Sequence, residues 1–123
     1  MPSFVAEFFA VHKVFRTGLV RRTSVCALRD VTFSVPSGSL FGVIGPNRAG
    51  KTTLVKILLG LSRPTSGRIT RLGRPAEVRS TLARVGYLHE SQAFPQYLSA
   101  SALLRYYGSL SPVSQHELDV RIP

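Results

Sequence analysis

The sequence predicts an α/β fold, and three observations carry that expectation. Leu40–Ile44 is a short, almost continuous apolar run with turn residues on both sides, the pattern of a strand buried on both faces. A glycine-rich loop follows it directly. After the loop, Leu54, Leu58 and Leu61 share one helical face that Val55, Ile57 and Leu59 widen, so the helix over Thr52–Leu61 is expected to be buried.

The other elements read in order. Phe4–Phe15 is rich in Val and Phe and predicts a strand, and Arg16–Ser24 is polar and basic, a loop. Val25–Val35 ends in the alternation Val31, Phe33, Val35 and predicts a second strand, closed by the turn Pro36–Ser39. Gly60 and Pro64 stop the central helix. Arg68–Leu72 alternates as a half-exposed strand, Pro75 suits the first turn of a short helix through Leu82, and Val85–Leu88 reads as a further short strand. Ser99 caps a helix through Leu110 whose apolar side is Leu103, Leu104, Tyr107 and Leu110. Ser114 followed by Glu117 spells a capping box and announces another helix, so close to Pro123 that the chain is expected to be incomplete.

Composition bounds the function classes. The chain has 123 residues, 44% hydrophobic and 18% charged, which is globular and suggests at most one domain. It carries 16 Lys and Arg against 6 Asp and Glu, a formal net charge of +10. Such an excess suits an anionic partner: a nucleotide, a membrane surface, an acidic protein or an absent acidic half. The cations are scattered, and only Arg21 and Arg22 adjoin. The footprint of nucleic-acid binding, a dense basic run with interleaved aromatics, is missing. Cys26 is the lone cysteine, so no disulfide framework exists, and its apolar neighbours predict a small buried side chain. The apolar N-terminal stretch is too short to span a bilayer and lacks a basic leader, so the chain reads as cytoplasmic.

The chemistry sits in Gly45-Pro46-Asn47-Arg48-Ala49-Gly50-Lys51-Thr52, which fits the phosphate-loop spacing of two glycines, Lys and a hydroxyl residue. Glycine lets backbone N–H groups approach phosphate closely, and the helix that follows aims its N-terminal N–H groups and positive dipole at the same anion. Lys51 is expected to reach the β- and γ-phosphates, and Thr52 to help hold Mg²⁺. The position between an apolar strand and a helix is the context that motif requires. The fold is therefore of phosphate-loop NTPase type.

The flanks resemble the ATP-binding-cassette (ABC) transporter ATPases. The likeness is carried by Ala27–Phe33, Gly38, Phe41–Asn47 and Ala49–Thr53, then by Leu58–Leu61, Pro64–Gly67, Leu72-Gly73 and Val85–Leu88, in order and spacing. It covers roughly Val11–Leu110 and is greatest for the subgroup whose permeases are simple exporters, including drug and multidrug efflux systems. The resemblance implies N-terminal antiparallel strands beside an incomplete parallel core sheet. It implies ATP and Mg²⁺ as ligands, a membrane permease as partner, pairing of two nucleotide-binding domains, and a place at the inner face of the membrane. Residue by residue, it matches Phe15 to the aromatic that stacks on adenine, with a plain core role as the alternative. It matches Thr53 to a hydroxyl on the α-phosphate, against a helix-surface Thr. Glu90 matches the glutamine-loop position that contacts Mg²⁺ or the attacking water, against a solvated loop carboxylate.

This sequence departs from the family at Arg48, where Gly is usual, and at Ala102, where an acidic residue completes a capping box. A Ser-Gly-Gly signature, an apolar strand ending in Asp-Glu and a later His, which the family needs, do not occur after Leu110. Hydrolysis requires a carboxylate that polarises water and completes the Mg²⁺ shell. Residues 1–123 thus read as the N-terminal portion of a nucleotide-binding domain, marginally stable and a poor ATPase by itself. The competing expectations are a non-hydrolytic nucleotide-binding or regulatory protein, a non-functional fragment, and a repair or translation ATPase of the same superfamily.

Overall fold

Two long strands, β1 (Phe4–Thr17) and β2 (Thr23–Pro36), pair antiparallel and build the floor on which the loop rests. The structure is a computed structural model and describes residues 3–18, 23–91, 93–111 and 113–122. The middle of the predicted Arg16–Ser24 loop, with Arg21 and Arg22, lies outside the described residues. The β1–β2 ladder shifts register at four places, and the two central ones show how: Phe8 pairs with Phe33, Val11 with Val31 and Lys13 with Leu28. Three residues of β1 thus face two of β2, and then the reverse. Ala10 and Asp30, both at φ 48°, are the extra residues. Their N–H groups leave the ladder for side chains, Thr32 Oγ1 at 2.9 Å and His12 Nδ1 at 3.4 Å.

β3 (Ser66–Arg71) adds to the other side of β1, and β4 (Arg74–Pro75) follows it through a tight hairpin, giving the sheet order β2-β1-β3-β4. The hairpin residues Leu72 and Gly73 stand at φ 52° and 74°, the paired positive values that suit the twist of two strands. Gly67 lets β3 close on the β1 bulge. A Cβ there would lie 2.3 Å from the Ala10 carbonyl oxygen, and its φ is +89°.

α1 (Lys51–Leu58) lies on one face of this sheet. Its buried Leu54 and Ile57 join Ala6, Phe8, Val11, Leu28, Ile69 and Ala76 in the core. Removing a side chain such as Ile57 from water contributes about 2 kcal/mol. The helix ends in a left-handed glycine cap: Gly60, at φ 72°, donates its N–H to Ile57, and Leu61 donates to Lys56. The stop signal at Gly60 was therefore legible, although the helix closes at Leu58 rather than Leu61.

Three expected elements differ. Leu40–Ile44 is not a paired strand: no ladder bonds hold it, and Leu40 and Ile44 are fully exposed. No described strand runs beside it to take its N–H and C=O groups. Phe41 ties it down, stacking on Phe33, which stacks in turn on Phe8. Val85–Leu88 is likewise unpaired, so the parallel part of the expected sheet is not formed among the described residues. Pro75 opens no helix. The Ala76 N–H bonds to the Ile69 carbonyl and keeps the chain on the sheet edge, and the only helical turn is a 3₁₀ segment at Arg79–Arg84.

The chain divides into two compact units, the one just described through Leu82 and a second from Ala83 onward. The second holds α2 (Ala100–Ser109) and α3 (Gln115–Arg121). Both N-cap bonds form, Ser99 Oγ accepting from the Ala102 N–H and Ser114 Oγ from the Glu117 N–H, each at 3.2 Å, the latter being the Ser114 half of the expected capping box. The Glu117 carboxylate accepts from Arg121. Leu118 is buried against Gly108, where a Cβ would lie 2.4 Å from a Leu118 methyl. Arg105 pairs with Asp119 at 2.5 Å. The apolar side predicted for α2 is mostly uncovered: Leu104, Tyr107 and Leu110 are exposed, and Leu103 is half-buried.

Candidate functional site: the phosphate loop

The loop begins where the exposed Leu40–Ile44 segment ends and stops at the first residue of α1. The Ala49 N–H donates to the Pro46 carbonyl at 3.2 Å, which closes a turn over Pro46–Ala49. Gly50 is the N-cap of α1 at φ 90°, and it presses on β2: a Cβ would lie 2.3 Å from the Ala27 carbonyl oxygen and 2.8 Å from a Leu28 methyl. Only glycine meets both demands, the left-handed φ and the close approach.

The first bond inside α1 runs from the Leu54 N–H to the Gly50 carbonyl at 2.9 Å. The N–H groups of Lys51, Thr52 and Thr53 precede it, no side chain caps them, and the first turn holds no acidic residue. The positive end of the helix therefore opens outward with its donors free. The Lys51 ammonium folds over the loop and donates to the carbonyls of Gly45 (2.6 Å) and Pro46 (2.8 Å). These contacts hold a cation at the loop's mouth. Thr52 is exposed and Thr53 half-buried. Gly45, Pro46, Asn47, Arg48 and Ala49 are all exposed.

Arg48 takes φ 68°, the left-handed conformation that glycine adopts freely. For an L-residue this costs about 1–2 kcal/mol.

Phe15 lies on β1 opposite Val25, two residues before the Ala27 carbonyl that backs Gly50. That is about 7 Å along the strand. Its ring is 41% exposed, so it is not a core residue, and the Lys13 ammonium sits 4.8 Å from its centroid. Lys13 also donates to the Arg63 carbonyl at 2.7 Å. Glu90 belongs to the second unit, exposed in a turn after the irregular Val85–His89 stretch. The structure thus brings Gly45–Thr53 together and sets Phe15 on β1, in the same unit, while Glu90 belongs to the second unit. A cavity of about 430 Å³ opens elsewhere, at the C-terminal end of α1 between Ile57, Gly60, Ala76 and Leu82.

Two side chains escaped sequence reasoning. Arg71 is buried, and its guanidinium donates to Thr81 Oγ1 (2.7 Å), the Val78 carbonyl (3.0 Å) and the Leu58 carbonyl at the end of α1. The alternation of β3 did place Arg71 on the face of buried Ile69, but a charged residue masks that signal. Cys26, expected inside, is exposed, with its thiol directed at the Leu28 carbonyl at 3.3 Å. Its strand pairs only through β1, and the side chain falls beyond the patch that α1 covers.

The fold and this loop define a class, nucleotide-binding proteins of the phosphate-loop type, and comparison with known proteins narrows it. Residues 28–118 match the ABC transporter family model. The chain belongs to that family. It is 44% identical over 118 residues to an uncharacterised ABC transporter ATP-binding protein of Synechocystis, covering 96% of this chain and 33% of the relative. It is 33% identical to the Nod factor export ATP-binding protein I of Rhizobium leguminosarum, covering 78% of this chain and 32% of that one. Among solved structures, the ATP-binding subunit of an ABC transporter superposes with a TM-score of 0.73 at 26% identity, covering 97% of this chain and 48% of the other. An ATP-binding cassette dimer bound to ADP and Pi superposes with a TM-score of 0.72 at 18% identity, which supports the fold alone. The chain spans about a third of the length of the curated relatives it matches. Among the described residues, no helix is long and apolar enough to cross a membrane.

Proposed function

We propose that residues 1–123 form the N-terminal portion of an ABC nucleotide-binding domain that binds ATP through Gly45–Thr52 and serves a membrane permease engaged in export. The observation that carries this reading is the loop: a glycine packed on β2, an uncapped helix N-terminus and a lysine held at the mouth. Backbone N–H groups from Asn47 to Thr53 would surround the phosphates, and Lys51 would exchange its carbonyl partners for phosphate oxygens. Phe15 offers an exposed ring for adenine, beside the ammonium of Lys13. Thr52 would offer its hydroxyl to Mg²⁺ and Thr53 its hydroxyl to the α-phosphate. The single hydroxyl of Thr52 makes a thin donor set for a resident metal in this unit, so Mg²⁺ would arrive with the nucleotide.

The export role rests on likeness to proteins such as the Nod factor exporter subunit. The permease, a second nucleotide-binding domain and a position at the inner membrane face follow from the same likeness. No Asp-Glu strand is at hand to polarise water, so this stretch alone binds without turnover. Equilibrium dialysis with Mg-ATP, paired with a phosphate-release assay, tests both halves. The expected result is saturable one-to-one binding and no phosphate release above buffer. Turnover by the pure chain would contradict the account of catalysis, and absence of saturable binding would contradict the nucleotide site.

A further inference from the structure

We infer that the Arg48 guanidinium is a nucleotide-selecting contact, a second cation of the phosphate loop that favours a triphosphate over a diphosphate. The inference rests on the phosphate-loop reading and deepens it. Arg48 holds φ 68° inside the Pro46–Ala49 turn, where glycine would sit without strain. Its side chain is exposed and, among the described residues, has no hydrogen bond or ion pair. Lys51, by contrast, is already engaged with the Gly45 and Pro46 carbonyls. The loop therefore presents one cation tied to its own backbone and one that is free, above an uncapped helix N-terminus with no acidic residue in its first turn. An arginine there gives a planar, always-charged fork suited to phosphate oxygens. Its attraction grows with ligand charge, so the more highly charged triphosphate gains more than the diphosphate. Strain and attraction act on different quantities: the first lowers the stability of the empty fold, and the second raises affinity.

That separation supplies the test. The full chain and its Arg48→Gly, Arg48→Gln and Arg48→Lys variants are compared by urea denaturation without ligand. Fluorescence titration with labelled ATP and labelled ADP then reads affinity at low and high salt. Arg48→Gly is expected to raise the urea midpoint yet weaken ATP roughly 10- to 100-fold, an effect of the size charged hydrogen bonds have, with ADP weakened less. Arg48→Gln should lose the same affinity without gaining stability, Arg48→Lys should keep most of it, and the salt dependence of ATP binding should flatten in both charge-removing variants. Unchanged or tighter ATP binding by Arg48→Gly, or equal losses for ATP and ADP, overturns the inference while leaving the loop intact. Failure of the unmodified chain to bind either nucleotide overturns the inference together with the phosphate-loop reading.

Discussion

Gly50 joins two constraints that no other residue satisfies, a left-handed φ and contact with the Ala27 carbonyl. Gly50→Ala is expected to cost about 2–3 kcal/mol and to lift the loop off β2. Urea denaturation reads the first effect and ATP titration the second. Arg71 acts at the other end of α1, where its guanidinium ties Leu58, Val78 and Thr81 together. Arg71→Met keeps bulk but takes the guanidinium donors from the Leu58 carbonyl and Thr81 Oγ1, while Val78 keeps the Thr81 hydroxyl, so a loss of about 2–4 kcal/mol is expected by denaturation. The two residues differ sharply in legibility. Gly50 was fixed by a motif whose every position has a chemical task. Arg71 was hidden because burial of a charge depends on three acceptors that come from distant segments. Phe15 lies between these cases: the sequence left core and exposed roles open, and only strand pairing put its ring at the surface.

Elements were legible where their signal is local. The caps at Ser99 and Ser114 and the Gly60 stop depend on neighbours within a few residues, and all three formed. Leu40–Ile44 and Val85–Leu88 failed as strands because a strand exists only with a partner, and the pattern of a buried strand says nothing of where that partner is. Leu40→Ser with Ile44→Ser tests this directly. Both side chains are fully exposed, so the pair should change stability by less than about 0.5 kcal/mol each. A loss of several kcal/mol would show that the segment is buried after all. In the helical unit, the Arg105 hydrogen bond holds the Asp119 carboxyl below its ordinary value of 3.8, aided by Arg105's charge and by Gln115. A depressed carboxylate adds stability that is complete above the ordinary pKa and is lost as pH falls through the lower, folded one. Wild type and Asp119→Asn should therefore differ by circular dichroism melting at pH 6 and converge as the pH drops below 3.8.

On the scale of the molecule, this is an ABC family chain with the phosphate loop in place and the apolar segment before it uncovered. Its +10 charge is spread along the sequence, and the loop is where a cation and free N–H donors converge. The central claim is that this convergence binds ATP, and ligand-linked stability tests it most directly. Mg-ATP at about 100 times its dissociation constant should raise the unfolding free energy of the chain by about 2.7 kcal/mol. The same addition to Lys51→Ala should leave the urea midpoint where it was. An equal rise in both proteins would place the nucleotide elsewhere and contradict the account.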